Sequence, residues 1–258
     1  MSEEKSAFEK VQKARNSDKI SIQKLVSGLT NEFIELHGDR AYGDDSAVYS
    51  GIGMIDNQPV TIIGIQKGTN NEENVERHFG SAEPDGYRKA LRLMEQAEKF
   101  KRPIITLINT PGAYPGVDAE YHGQGYMISQ LILKGMQLKT PYISVIIGEG
   151  GSGGALALAV GDCVWSFENS IYSVLSPEGY ATILWKNSSK VKEAADVMRL
   201  TPEELLEDGI IDKIIPEVKN DTDIENFKNM ILNKISELSN MSVDDLLKKR
   251  FARYRSFK

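Results

Sequence analysis

Reactive and metal-binding side chains are scarce in this chain of 258 residues: it has one cysteine, Cys163, and three histidines, His37, His78 and His122. A single cysteine excludes an intramolecular disulfide and any zinc site built from several cysteines. The histidines stand far apart with no metal-ligand spacing, so no metal is assigned to this chain. No uncharged apolar run reaches about 18 residues, so no membrane-spanning helix is expected. A basic excess is missing too. The 31 Lys and Arg against 37 Asp and Glu leave a net charge of −6, which argues against a chain that coats nucleic acid. No apolar leader-like stretch follows the charged opening residues, and a cytoplasmic location is expected. Repeats, low-complexity tracts and Ser/Pro-rich linkers are absent as well.

What is present is ordinary globular composition, 40% hydrophobic and 26% charged, on a chain long enough to bury a sizeable core. Residues 1–17 are polar and read as a short exposed helix or a frayed arm. From Lys19 to Leu36 the apolar positions Ile22, Leu25, Val26, Leu29, Phe33 and Leu36 keep helical spacing, which predicts one helix ended by His37-Gly38-Asp39. Residues 46–55 and 60–66 read as strands around a turn, and 68–83 as a mobile polar loop. Pro84 opens a helix to about Lys101. Pro103–Ile108 and Pro141–Ile147 read as buried strands with a helical stretch, Asp118–Leu138, between them. Further strands are predicted at Asp162–Phe167, Ile171–Leu175 and Ile210–Ile215. Helical stretches separate the last two, and two helices follow Asp221. Strands alternating with helices point to an α/β fold with crossover units and a largely parallel sheet.

The most informative segment is Gly148-Glu149-Gly150-Gly151-Ser152-Gly153-Gly154, read as a turn between the strand before it and a short helix, Ala155–Val160. Helix-start N–H groups are unpaired, and glycine lets a ligand approach them closely, so the site suits negative charge. Gly148, Gly150 and Gly153 match the dinucleotide fingerprint, with Glu168 about where a ribose-binding acid belongs. The intervening helix is short for that reading, a nicotinamide-dependent oxidoreductase on a Rossmann fold. Gly150-Gly151-Ser152-Gly153-Gly154 also matches a nucleophile elbow. That motif needs a histidine after the serine, and all three histidines precede Ser152. A third reading makes the N–H groups of Gly153 and Gly154 an oxyanion hole. A fourth is that the glycines only allow tight helix–sheet packing. A second stiff loop, Thr110-Pro111-Gly112-Ala113-Tyr114-Pro115-Gly116, follows the preceding parallel strand and should emerge on the same sheet edge, so the two loops are expected to face one pocket.

Together these loops resemble the alpha subunits of bacterial acetyl-coenzyme A carboxylase carboxyltransferase. The resemblance runs over roughly residues 20–256. It is carried by Gly38-Asp39-Arg40-Ala41-Tyr42, Gln66-Lys67-Gly68, the stretch from Pro84 to Met94, Thr110 to Gly116, Gly148 to Leu156, and Ser173 to Trp185. It implies a crotonase-like ββα superhelix with helical N- and C-terminal extensions. The implied division is an N-terminal helical arm at 1–37, a carboxyltransferase core at 38–220 and a C-terminal helical tail at 221–258. The implied reaction moves a carboxyl group from carboxybiotin, held on a separate biotin carboxyl carrier protein, to acetyl-coenzyme A, giving malonyl-coenzyme A for fatty acid synthesis.

The resemblance further implies a beta subunit that contributes zinc and the coenzyme A half of the site, an assembly of two alpha and two beta chains, and biotin carboxylase as a co-worker. By the same resemblance the N–H groups of Gly153 and Gly154 face the biotin ureido oxygen. Gly112, Ala113, Tyr114, Pro115, Gly116, Gly150 and Gly151 then line the substrate site.

Lys67, Arg77, Arg88, Lys89 and Arg92 read either as contacts for phosphate or an acidic partner, or as a solvated charged face. The segment Ser242–Lys258 holds six basic against two acidic residues. It reads as a docking or solvated helix ahead of an RNA contact. Trp165 and Trp185 read as core or interface aromatics.

Overall fold

The computed structural model describes residues 6–16 and 19–257. Among them, eight strands form one sheet: β1 (Glu32–Glu35), β2 (Val48–Ile55), β3 (Gln58–Ile65), β4 (Ile104–Thr110), β5 (Tyr142–Gly151), β6 (Cys163–Phe167), β7 (Ile171–Ser173) and β8 (Lys213–Ile215). The strand order is β1-β2-β3-β4-β5-β6-β8, with β7 paired to β5. The β1–β2 and β2–β3 pairs are antiparallel, and every pair from β3 onward is parallel. The sheet is therefore parallel only from β3 on.

Helices cover both faces. On one, α2 (Ile22–Leu29) and α11 (Asp221–Ser239) bury Leu25, Val26, Phe227 and Ile231 against Ile62, Ile105, Leu107, Ile143 and Val145 of the sheet. On the other, α4 (Pro84–Lys99) and α6 (Gln124–Gln137) bury Tyr87, Leu93, Met94, Met127 and Leu131 against Ile63, Ile65, Ile104 and Ile108. Alternate residues of β3 and β4 thus enter opposite cores, as the period of two in a strand requires. The remaining helices are α1 (Ala7–Arg15), α3 (Asn71–Glu76), α5 (Val117–Tyr121), α7 (Ser152–Leu156), α8 (Pro177–Trp185), α9 (Val191–Val197), α10 (Pro202–Glu207) and α12 (Val243–Arg255).

Several local expectations give way. The helix expected from Lys19 to Leu36 ends at Leu29, where Thr30 takes an extended conformation, and Phe33 lies on β1. Helical spacing persists there by coincidence, while antiparallel pairing with Gly51–Met54 decides the backbone. The stretch 68–83 holds α3, capped by the Asn70 side chain accepting from the Glu73 N–H, and a tight turn at His78–Gly80. Helix α1 is not an exposed arm: Val11 and Ala14 are buried with Ile171, Ala195 and Leu200.

The largest difference concerns the glycine segment. Strand β5 continues through Gly148, Glu149 and Gly150 to Gly151, and the helix begins at Ser152 instead of Ala155. The first half of β5, Ile143–Ile146, pairs with β6, and Glu149–Gly151 pairs with β7. Between them the register against β4 shifts, from Ile108 opposite Ile146 to Thr110 opposite Gly150, so β5 accommodates two extra residues. That irregularity swings the end of β5 from one neighbour to another and sets the direction of α7.

Candidate active site

The two loops meet at the C-terminal edge of β4 and β5, and backbone touches backbone. A Cβ on Gly151 would fall 2.1 Å from the Pro111 carbonyl oxygen, and one on Gly154 would fall 2.5 Å from the Ala113 nitrogen and 2.8 Å from the Gly112 carbonyl carbon. No side chain larger than hydrogen fits at either position. The 110–116 loop is held from its own side as well. The Thr110 hydroxyl accepts from the Gly112 N–H at 3.1 Å, and the Tyr114 N–H donates to the Ala82 carbonyl at 3.0 Å. The Gln124 amide donates to the carbonyls of Ala82 and Tyr114, and the His78 ring stacks on Tyr114 at 4.4 Å. The Tyr114 ring lies over Gly116, Pro115 is exposed, and Gly150 backs onto the Tyr172 ring.

Helix α7 starts without a side-chain cap, so its first N–H groups, at Ser152, Gly153 and Gly154, are not taken up by a side chain. Ser152 is exposed and has a positive φ of 52°, an uncommon conformation for a non-glycine residue that clusters at functional turns. A Cβ on Gly153 would meet only Ile128, at 3.6 Å, so that flank of the turn is open.

Glu149 was not singled out from sequence, although a lone carboxylate among glycines and apolar residues is the signal that could have found it. Its buried carboxylate accepts from Arg15 Nε at 2.6 Å and pairs with Lys67 Nζ, and its N–H donates to Asn109 Oδ1 at 3.0 Å. Arg15 also reaches Glu178 at the start of α8, at 2.7 Å. Four separate segments thus brace the end of β5.

The five basic residues do not form a solvated face: each is at least partly buried and bonded within the chain. Lys67 pairs with Glu149, and Arg77 bonds Glu73 and the Lys67 carbonyl. Arg88 bonds Asp39 at 2.6 Å and the His122 carbonyl, while Lys89 bonds Asp44 and the Asp45 carbonyl. Arg92 bonds the carbonyls of His37 and Gly38. Asp39 also accepts the N–H groups of Ala41, Tyr42 and Gly43. Burial pushes its pKa up. The Tyr42 N–H, the Arg88 guanidinium and the N–H groups of Ala41 and Gly43 outweigh that and hold it at about 2.

The dinucleotide reading loses its geometry. Gly148 and Gly150 are strand residues of β5, and α7 has five residues. Glu168 accepts the Glu217 N–H. Among the described residues, no group of three His, Cys, Asp or Glu is placed to hold a metal ion. Trp165 is in the core, and Trp185 packs edge-on against Tyr180.

This sheet, with its crossing helices and interlocked loops, is the crotonase-like fold of carboxyltransferases. Transcarboxylase 12S matches at a TM-score of 0.72 and 17% identity, over 86% of this chain and 42% of that one, so this chain spans less than half of the transcarboxylase chain. The beta subunit of Pseudomonas aeruginosa geranyl-CoA carboxylase matches at 0.67 with 16% identity, over 85% and 42% of the two chains. A chain of a Pseudomonas malonate decarboxylase hetero-tetramer matches at 0.70 with 15% identity, over 94% and 95%.

The family model described as acetyl co-enzyme A carboxylase carboxyltransferase-like matches residues 2–258. The acetyl-coenzyme A carboxylase carboxyl transferase subunit alpha of Streptococcus thermophilus is 53% identical over 96% of this chain and 97% of its own length. The same subunit of Streptococcus gordonii is 51% identical, over 96% and 97% of the two chains. The chain belongs to the acetyl-coenzyme A carboxylase carboxyltransferase family, with the alpha subunits.

Proposed function

We propose that this chain supplies the biotin side of a carboxyltransferase site that makes malonyl-coenzyme A from acetyl-coenzyme A. The carboxyl donor, carboxybiotin on a separate carrier protein, supplies the group transferred. The observation that carries the reading is the interlock of the 110–116 loop with the start of α7, which fixes main-chain donors at a rigid edge. Gly153 and Gly154 donate their N–H groups to the biotin ureido oxygen as negative charge develops there, and removing one such donor typically costs roughly 3–4 kcal/mol of transition-state stabilisation. Gly150 and Gly151, at the end of β5, line the substrate site together with Gly112 to Gly116. Donors fixed before the reaction need no reorganisation when charge appears.

The partners of this reading are a zinc-containing beta subunit in an α2β2 assembly, the biotin carboxyl carrier protein and biotin carboxylase, in the cytoplasm. Among the described residues no helix is long and apolar enough to cross a membrane. A site needing charge stabilisation on two oxygens calls for a second donor set, which in this reading the beta subunit supplies. Beside the site, Val117 and Tyr121 are 89% and 88% exposed, with Tyr126 and Leu133 following on α6. Such an apolar face next to a half-built site supports a subunit contact. The test is carboxyl transfer with this chain alone, the beta chain alone and both. Activity is expected only from the pair, and robust malonyl-coenzyme A formation by this chain alone overturns the half-site reading.

A further inference from the structure

Tyr87 lies in the first turn of α4 and is fully buried, yet its hydroxyl has no hydrogen-bond partner. A buried hydroxyl without a partner destabilises the fold, and phenylalanine would fill the same place without that penalty. The oxygen is held in a particular spot. A Cβ on Gly154 would lie 2.7 Å from it, and the Ala113 nitrogen and Gly112 carbonyl carbon are within 2.8 Å of that same point. One hydroxyl therefore stands where the 110–116 loop, the glycine turn and α4 converge. The start of α4 is itself pinned, because Asp45 Oδ2 accepts the Glu83 N–H at 2.7 Å. Burial raises the phenol's pKa, with the Asp45 carboxylate adding to the effect, so the group is a neutral hydroxyl at neutral pH.

We propose that Tyr87 is a positioning residue for carboxyl transfer: its hydroxyl packs against Gly154 beside the 110–116 loop and so fixes the direction of the Gly153 and Gly154 N–H groups. This rests on the reading of those N–H groups as the donors that stabilise charge. Misplacing such groups by about an ångström lowers rates steeply, up to roughly a hundredfold. Removing the oxygen leaves a gap beside Gly154 into which the start of α7 can reorient, while the ring keeps its place in the core.

The test is Tyr87→Phe in the complete chain assembled with its beta partner, assayed with the carboxylated carrier protein. We expect a Tm equal to or above that of the wild type, a KM for acetyl-coenzyme A within about twofold, and a kcat lower by roughly tenfold or more. A purely structural tyrosine would not give intact stability with lost turnover. A kcat within about twofold of wild type overturns the role of Tyr87. So does a kcat loss accompanied by a fall in Tm, which would make the hydroxyl a packing element of the fold. The wild-type assembly is the control for the underlying function. If it makes no malonyl-coenzyme A, the proposed reaction fails, whereas an active wild type with an unimpaired variant refutes the positioning role alone.

Discussion

Gly153 and Gly154 are neighbours of the same type with different reasons to be glycine. At Gly154 the missing Cβ makes room for the backbone of Gly112 and Ala113, whereas at Gly153 a Cβ would rest at ordinary contact distance from Ile128. Gly154→Ala is therefore expected to destabilise the fold by about 1–3 kcal/mol through overpacking. Gly153→Ala, in a helical conformation, is expected to be neutral or stabilising by up to about 1 kcal/mol. Thermal unfolding of the two variants checks this, and equal losses would show that the interlock of the loops is not what constrains Gly154. A bulky side chain at Gly154 points into the 110–116 loop, so its effect on turnover reports on the interlock before it reports on ligand access.

Asp39 is the second residue whose surroundings make a measurable statement. Its pKa of about 2 lies below the ordinary aspartate value, so it stabilises the folded state above roughly pH 4 and loses that contribution as the pH falls toward 2. The contribution at pH 7 is on the order of 2 kcal/mol. Asp39→Asn should lower stability by that order at neutral pH, with the gap to wild type closing between pH 4 and 2. Urea titrations across that range decide it, and a gap that stays constant with pH would mean that the carboxylate charge is not the stabilising feature.

At the scale of elements, α12 shows how a run of basic residues is used. Its Arg250 is 1% exposed and grips both Asp162 oxygens, at 2.8 and 2.7 Å, plus the carbonyls of Gly135, Leu138 and Thr140. Arg253 bonds Asp212 and the Ile210 carbonyl, and the Tyr254 hydroxyl reaches the carbonyls of Ala159 and Gly161. Of the interleaved basic and aromatic residues, Arg250, Arg253 and Tyr254 anchor the last helix to its own core, while Lys248, Lys249, Phe251 and Arg255 stay exposed. Removing one member of a buried pair leaves the other charge unpaired, which typically costs about 3–5 kcal/mol. Arg250→Ala should lose stability on that scale, read from the urea midpoint, while a loss below about 1 kcal/mol would place the pair among weak surface bridges.

Across the whole molecule, local pattern was a good guide wherever one segment decides its own state. The apolar runs at Ile104–Ile108 and Tyr142–Ile147, the Pro84 helix start and the two C-terminal helices are all where composition and periodicity put them. So are the two stiff loops on one sheet edge, because successive parallel strands must end on the same side. The motifs from Gly38 to Trp185 also carried the family by themselves. Tertiary structure decided what local pattern cannot encode. Phe33 has helical spacing but lies on a strand, because β2 offers it a ladder of hydrogen bonds. The glycine segment reads as a turn but runs as strand to Gly151, because β7 pairs with Glu149–Gly151. Arg15, Lys67 and Glu178 meet at Glu149, and the Tyr87 hydroxyl reaches the back of Gly154, only after the sheet has closed and the crossovers have packed. A strand or helix repeats every 2 or 3.6 residues and is visible within ten positions. Contacts separated by dozens of residues have no such period, and their geometry exists only in the folded chain.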